Sequence, residues 1–333
     1  MTAPELTFVV PLYEAQETIA RALECILAQR GAPGFEVLVV NDGSRDASLA
    51  KAREVAARDP RIRVLAKENG GEASALNVGF KEARGKLIAI VEADVELDAG
   101  WLETLLRVLE TDQDAIAAGG YLETPREDPW IARLAGYEVE RKFATKPREA
   151  KHLTSANVLY RREAWELAGP FDERLVNASL DSVFNGKLVK AGKRLVYEPA
   201  ARCRHHYKTT LAGYLRRQWS YARYRVHNEV LDLYPADRWL ALHVAVSALG
   251  IALLAAGGAL AFVALPVAEA LLAGGVLLIL LELVCQTRGA GEILARTKDL
   301  PVALAYPPVH LVRNLVGAVG YAFGAIAKAG GAA

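Results

Sequence analysis

From Trp239 to Thr287, 49 residues carry only two charged side chains, Glu269 and Glu282. Within that stretch, Leu240–Leu265 is a run of 26 residues without Asp, Glu, Lys or Arg. A helix of that length crosses the hydrocarbon core of a bilayer. Pro266 marks a turn, and Val267–Thr287 is long enough to return. The 265–269 turn holds no Lys or Arg, whereas Arg288, Arg296 and Lys298 follow the second span. The positive-inside rule then places the preceding part of the chain and the 288–300 loop in the cytosol. Glu282 inside the second span needs a partner or a route to the interface. A third apolar segment, Pro301–Ala327, includes His310, Arg313 and Asn314, and either spans or lies in the interface. Its Gly320 and Gly324 make a GxxxG pattern, which suits close helix packing.

The part before these spans is about 235 residues, enough to bury a core of its own. The whole chain has Lys+Arg 40 against Asp+Glu 39. That balance gives no electrostatic case for nucleic acid as a partner. Cys25, Cys203 and Cys285 are far apart and form no CxxC pair, so a disulfide scaffold and a cysteine-rich zinc site are not expected. Thr7–Leu12 is too short, and too closely flanked by Glu5 and Glu14, to read as a signal peptide. Abundant Ala, Arg and Leu with few Met and Lys fit a prokaryotic plasma membrane.

In the first 120 residues, short apolar runs alternate with longer mixed segments. Leu6–Leu12, Phe35–Val40, Ile62–Ala66 and Lys86–Glu92 read as strands, and Ala15–Arg30, Ser48–Arg58, Ser74–Ala83 and Gly100–Thr111 as helices. The alternation predicts an α/β fold with an open, mostly parallel sheet covered on both faces. Ligands of such sheets sit at the carboxyl ends of the strands. Residues 121–150 are rich in Arg and Lys and read as a loop, either a solvated face or a segment meeting an anionic ligand. In residues 207–239, Leu215, Trp219, Ala222, Val226 and Val230 recur at helical steps, accompanied by Arg216, Arg217, Arg223 and Arg225. That pattern is an amphipathic helix, lying at the interface, packed on its neighbours, or both.

Four polar groups follow the predicted strands. Pro11-Leu12-Tyr13-Glu14 ends the first, and Asn41-Asp42-Gly43-Ser44 ends the second. Asp42 suits a hydrogen bond to a nucleobase or ribose, and equally a turn or helix cap. Lys67-Glu68-Asn69-Gly70-Gly71 allows backbone to approach a ligand closely. Glu92-Ala93-Asp94 offers two carboxylates two residues apart, which suit a hard divalent cation, or again a helix-capping turn.

In this order the four groups resemble glycosyltransferase family 2, a nucleotide-sugar-binding family of the GT-A fold. The resemblance continues through Leu153-Thr154-Ser155-Ala156-Asn157, Gly169-Pro170-Phe171-Asp172-Glu173, Leu180-Asp181 and His205-His206, and covers roughly residues 6–225. It implies a GT-A domain over 1–206, an amphipathic region over 207–239 and two or three membrane helices over 240–333. The terminal spans resemble the membrane-attached branch of the family, including ExoA-like transferases. The resemblance implies that Pro11, Tyr13, Glu14, Asp42, Lys67, Glu92 and Asp94 bind the donor. It places Mg²⁺ or Mn²⁺ on Asp94 and His206, the general base at Asp181, and acceptor or lipid contacts at Asn157, Arg216 and Arg217. The chain departs from the family in having Glu92 in the usual DxD, Leu180 where a Glu commonly precedes the base, and Arg217-Gln218-Trp219 in place of QxxRW. The last departure argues against processive synthesis.

The implied reaction is an inverting transfer of one sugar, with UDP-sugars the favoured donors, at the cytosolic membrane face. A sugar hydroxyl needs a base, whereas a polyprenyl phosphate is already an anion, so Asp181 favours a hydroxyl of a lipid-linked glycan. Transfer to polyprenyl phosphate, with Arg141, Lys142, Arg216, Arg217 and Arg313 holding the phosphate, is the alternative. A non-catalytic membrane scaffold or nucleotide-sugar sensor is a third, permitted by Glu92 and Leu180.

Overall fold

The first apolar run, β1 (Leu6–Leu12), lies between two parallel partners. A strand buried on both faces carries apolar residues throughout, which explains why this run and its neighbours do not alternate. The computed structural model describes residues 4–144, 146–175, 180–207, 210–225, 235–261 and 264–329. The chain divides into two compact units, Met1–Asp128 with Ala135–Lys208, and Pro129–Leu134 with Thr209–Ala333.

In the first unit the order after β1 is α1 (Ile19–Leu27), β2 (Phe35–Asp42), α2 (Ser48–Ala56), β3 (Ile62–Lys67), α3 (Glu72–Glu82), β4 (Leu87–Val91) and β5 (Val95–Leu97). Next come α4 (Trp101–Thr111), β6 (Ala115–Glu123), α5 (Trp130–Ala144), which contributes to both units, β7 (Glu149–Ala150) and β8 (Asn157–Arg161). The unit closes with α6 (Glu163–Ala168), α7 (Leu180–Lys190) and β9 (Arg194–His205). The strands form one sheet in the order β3-β2-β1-β4-β8-β6-β9-β5, with β7 pairing β9. β3, β2, β1 and β4 are parallel, but β8 is antiparallel to both β4 and β6. The sheet is therefore mixed rather than mostly parallel. The chain reverses direction of build-out at β1, which has β2 on one side and β4 on the other. That is the topological switch point where an open α/β sheet leaves a crevice at its carboxyl ends.

The segment 121–150 is not the expected loop. It holds the end of β6, the fifteen-residue α5 and the short β7. Ile131, Leu134 and Tyr137, three apart, are buried and give α5 an apolar stripe. Its high charge count conceals that stripe. Glu140 accepts the Thr124 backbone N–H at 2.6 Å and the Tyr121 hydroxyl at 3.2 Å.

Close backbone approach explains one glycine in β6. A Cβ at Gly120 would overlap the carbonyl oxygen of Ala201 on β9. Gly120→Ala should therefore cost about 3 kcal/mol by overpacking. The expected result is a thermal midpoint lower by roughly 6–12 °C, read by circular dichroism of the full chain in detergent.

The second unit contains α8 (Leu211–Arg225), α9 (Pro235–Leu260), α10 (Leu265–Thr297) and α11 (Leu300–Ala329). Three of its helices, spanning Leu242–Leu260, Leu265–Thr297 and Leu300–Ala329, are long and apolar enough to cross a membrane. Pro266 stands in the first turn of α10, where a missing N–H costs nothing. Glu282 does find partners: it is 1% exposed and accepts bonds from His243 Nδ1 at 2.8 Å, Gln286 Nε2 at 2.6 Å and Asn314 Nδ2 at 2.8 Å. One carboxylate thereby ties α9, α10 and α11. The GxxxG pattern acts on α8: Cβ atoms at Gly320 and Gly324 would meet the carbonyls of Trp219 and Arg223. The described part of the amphipathic stripe thus packs against α11, while Val226 and Val230 lie outside the described residues.

Candidate active site

The end of β4 delivers Glu92 and Asp94 to the crevice. The β5–β9 ladder pairs Val95 with His205 and so sets that histidine beside them. His205 Nε2 lies 3.3 Å from Asp94 Oδ1 and 3.5 Å from Glu92 Oε2. One ligand atom from each of the three residues falls within 4.8 Å of the others. Two carboxylates and an imidazole at that spacing fit a divalent cation of the Mn²⁺ or Mg²⁺ kind, the imidazole suiting Mn²⁺ better. His206, expected at the metal, is not there. Adjacent strand residues point to opposite faces. His206 accordingly meets Asp128 Oδ1 at 3.0 Å and Glu96 Oε1 at 2.9 Å, away from the triad.

Asp181 occupies the first turn of α7, and its Oδ1 accepts the Ser182 backbone N–H at 2.7 Å. Leu180 is buried in the core, so no carboxylate immediately precedes Asp181. His152 stands beside it instead, with Nε2 3.6 Å from Asp181 Oδ2 and Nδ1 3.4 Å from Ser182 Oγ. Burial pushes the His152 imidazole down to about 4, against the opposing pull of Asp181, so it is neutral at pH 7. Glu72 opens α3 opposite these groups. Ser155 Oγ lies 3.3 Å from Glu72 Oε1 and 3.1 Å from Glu92 Oε1, joining the two carboxyls. Nearby protein desolvates the Glu72 carboxyl. That desolvation, with Glu92 and Asp181 nearby, raises its carboxyl to about 8. Burial also raises Glu92, against the pull of His205. Four carboxylates thus share one electrostatic field, which a bound cation would relieve.

The carboxyl ends of β1, β2 and β3 form the other wall. Glu14 adopts φ +46°, and its N–H donates to Ser44 Oγ at 3.1 Å. Tyr13 is 48% exposed and available to stack on a ligand. Asp42 and Lys67 are register partners and pair at 2.6 Å. Asp42 also accepts from Asn69 Nδ2 at 3.2 Å and from the N–H groups of Gly70 and Gly71 at 2.9 and 2.7 Å. Four donors fill its acceptor sites. Asp42 therefore folds the 67–71 loop, and a direct bond to a nucleoside would displace one of these partners. Asp42→Ala should release that loop and weaken nucleotide binding by about tenfold or more, checked by calorimetry with the nucleoside diphosphate and Mn²⁺.

Residues 7–167 match the family model for glycosyl transferase family 2. The chain carries a glycosyl transferase family 2 domain. Among its curated relatives is the uncharacterized glycosyltransferase EpsJ of Bacillus subtilis, 30% identical over 203 residues and covering 58% of each chain. Another is the succinoglycan biosynthesis protein ExoO of Rhizobium meliloti, 35% identical over 166 residues, 48% of this chain and 44% of that one. The chain spans little more than half the length of such relatives at most. Of solved structures, the mannosyltransferase PcManGT from Pyrobaculum calidifontis, in complex with GDP-Man and Mn²⁺, aligns with a TM-score of 0.58. That alignment, at 18% identity, covers 97% of this chain and 88% of the other. GalNAc-T7 with UDP, GalNAc and Mn²⁺ aligns at 0.51 and 15% identity, over 68% and 51%. These likenesses establish the GT-A fold.

Not every residue expected in the family 2 site lies there. Asn157 is fully buried, accepting from Gly120 N–H at 2.6 Å and donating to Cys203 Sγ at 3.0 Å, so it braces β6, β8 and β9 and cannot meet an acceptor. Arg216 and Arg217 are exposed on α8 of the second unit, so the expected lipid contact stays open to them. Glu72 and His152 belong to the site and escape sequence reading. Each is a single residue in a loop or first helical turn, without a partner nearby in sequence. A hollow elsewhere in the domain, lined by Asp112, Arg148, Glu149 and Arg194, has its charges paired, with Arg194 3.1 Å from Asp112.

Proposed function

We propose that the chain is an inverting glycosyltransferase that moves one sugar from a nucleoside-diphosphate sugar to a hydroxyl of a lipid-linked glycan at the cytosolic face of a membrane. The observation that carries this is the Glu92–Asp94–His205 triad set across from Asp181 in a family 2 domain. Relatives solved with GDP-Man or UDP and Mn²⁺ support the donor class. ExoO's role in succinoglycan biosynthesis supports a glycan acceptor, and the three apolar helices support a membrane-bound one.

Pro11, Tyr13 and Glu14 line the nucleoside end, with the loop that Asp42 and Lys67 hold. Glu92, Asp94 and His205 would hold Mn²⁺ or Mg²⁺, which when bound neutralises the diphosphate charge as the leaving group departs. Asp181 accepts the proton of the attacking hydroxyl, whose oxygen forms the new bond to the anomeric carbon as the nucleoside diphosphate leaves. His152, neutral, stands with Nε2 3.6 Å from Asp181 Oδ2 and places no cation beside that carboxylate. One displacement inverts the anomeric centre.

The test is a donor screen on detergent-purified protein, reading nucleotide release with Mn²⁺ or Mg²⁺ and with EDTA. Metal-dependent release from one sugar nucleotide is the expected result. Folded protein that neither binds nor hydrolyses any donor would favour the scaffold instead.

A further inference from the structure

One carboxylate of the site lies outside the metal triad and is not the base. Glu72 is the first residue of α3, and Gly71 before it is fixed by its N–H bond to Asp42 at 2.7 Å. On the other side, the buried Ser155 sets its hydroxyl oxygen 3.3 Å from Glu72 Oε1 and 3.1 Å from Glu92 Oε1. The segment that holds Ser155 also holds His152, 3.6 Å from Asp181. Hydrogen bonds thus place Glu72 between the Asp42 loop and the segment that joins Glu92 to the base. Although protein crowds its carboxyl, Glu72 is an exposed residue that a ligand can reach. What it lacks is donors. A carboxylate has about four acceptor positions. Asp42 fills its own with Lys67, Asn69, Gly70 and Gly71. Ser155 has a single hydroxyl proton, and the shorter distance directs it to Glu92. Among the described residues no other donor or cation pairs with Glu72. Nor does Glu72 join the three residues whose ligand atoms converge within 4.8 Å.

We infer that Glu72 reads the transferred sugar, accepting a hydrogen bond from one of its ring hydroxyls, and so sets which sugar the site takes. This rests on the proposed transferase reading and narrows it. In that reaction the anomeric carbon stands between the metal-bound diphosphate and the hydroxyl that Asp181 serves. The sugar ring then lies against the group that Ser155 joins to Glu92, which is Glu72. A neutral ligand rich in hydroxyls suits this position. It supplies the proton donor that the protein withholds, and it adds no negative charge beside Glu92 and Asp94. A sugar whose hydroxyl points elsewhere displaces water from the carboxyl without replacing its hydrogen bonds. A polar site rejects a wrong substrate in this way.

The experiment uses the full chain in detergent with Mn²⁺ and measures binding by calorimetry. The probes are UDP and GDP alone, then UDP-glucose, UDP-galactose, GDP-mannose and GDP-glucose, which form an epimeric pair on each nucleoside. Wild type should prefer one sugar over its epimer on the same nucleoside by about 10- to 100-fold. Glu72→Ala should bring that ratio close to one by weakening the favoured sugar nucleotide, with affinity for UDP or GDP alone unchanged. Glu72→Gln keeps an accepting oxygen and should retain part of the preference. Circular dichroism identifies a misfolded variant, in which case Glu72→Gln carries the test with a reduced ratio expected. Equal binding of both epimeric pairs by wild type would overturn the inference. So would a folded Glu72→Ala protein that keeps the wild-type ratio. A variant that loses UDP or GDP in step with the sugar nucleotide would also overturn it, making Glu72 a support of the nucleotide or metal instead. Binding of UDP and GDP separates the two levels. If one of them binds and no sugar preference exists, only the Glu72 contact fails; if neither binds to folded wild type, the transferase reading fails beneath it.

Discussion

Asp181→Asn should lower the rate of sugar transfer by about 10²- to 10⁴-fold, the usual contribution of a positioned general base. The substitution is nearly isosteric. The amide oxygen can still accept the Ser182 backbone N–H that Asp181 Oδ1 accepts now at 2.7 Å. What is lost is the capacity to take a proton. A neutral amide also removes one negative charge from the field shared by Glu72, Glu92 and Asp94, which should help folding slightly. A slow variant with an unchanged circular dichroism spectrum therefore reports chemistry. The acceptor's nature enters here as well. A sugar hydroxyl stays protonated at neutral pH and depends on Asp181, whereas a lipid phosphate attacks as an anion without help. Near-wild-type turnover in a folded Asp181→Asn protein would remove the base assignment and shift the nucleophile from hydroxyl to phosphate.

The second large effect separates two adjacent histidines. His205→Ala or Asp94→Ala should cut metal-dependent nucleotide release by about 10³-fold, since charge stabilisation by a bound cation supplies several kcal/mol. EDTA should do the same to wild type, and added Mn²⁺ should reverse it. His206→Ala should leave metal dependence in place. Its imidazole lies between Glu96 and Asp128, so removing it brings two carboxylates together without a bridge, and the loss falls on stability. The measurement is a Mn²⁺ titration of nucleotide release for each variant. An apparent Mn²⁺ affinity that falls for His206→Ala and holds for His205→Ala would reverse the assignment.

These two histidines show where sequence reading stops. Which of two neighbours on a strand faces the crevice depends on register, here the pairing of His205 with Val95. Register is a long-range property. A one-residue slip would exchange the two faces. His152 and Glu72 escape notice for a related reason: nothing local marks them, and their function comes from what the fold sets opposite. Asn157 misleads in the other direction. It belongs to a familiar motif, but β6 and β9 close over it and turn its amide into a brace. The helix α5 was hidden by its charges, because a stripe of three or four apolar residues suffices to bury one face.

The sequence by itself determined the strands β1 to β4, the helices α1 to α4 and their order. β1 spans Leu6–Leu12 as the apolar run predicts, because a buried parallel strand needs continuous apolar residues whatever lies around it. The apolar helices near the carboxyl end follow from composition alone, since helices of that length and hydropathy suit a bilayer. The Pro11–Glu14, Asp42 and Glu92–Asp94 positions were legible because residues at strand ends inherit their place from the strand. Tertiary structure alone decided the partners: His205 for Asp94, His152 for Asp181, and His243 and Asn314 for Glu282. The physical reason is range. Strand and helix formation are set by neighbours a few residues away, whereas the charge balance of a site is set by groups that only the folded chain brings together.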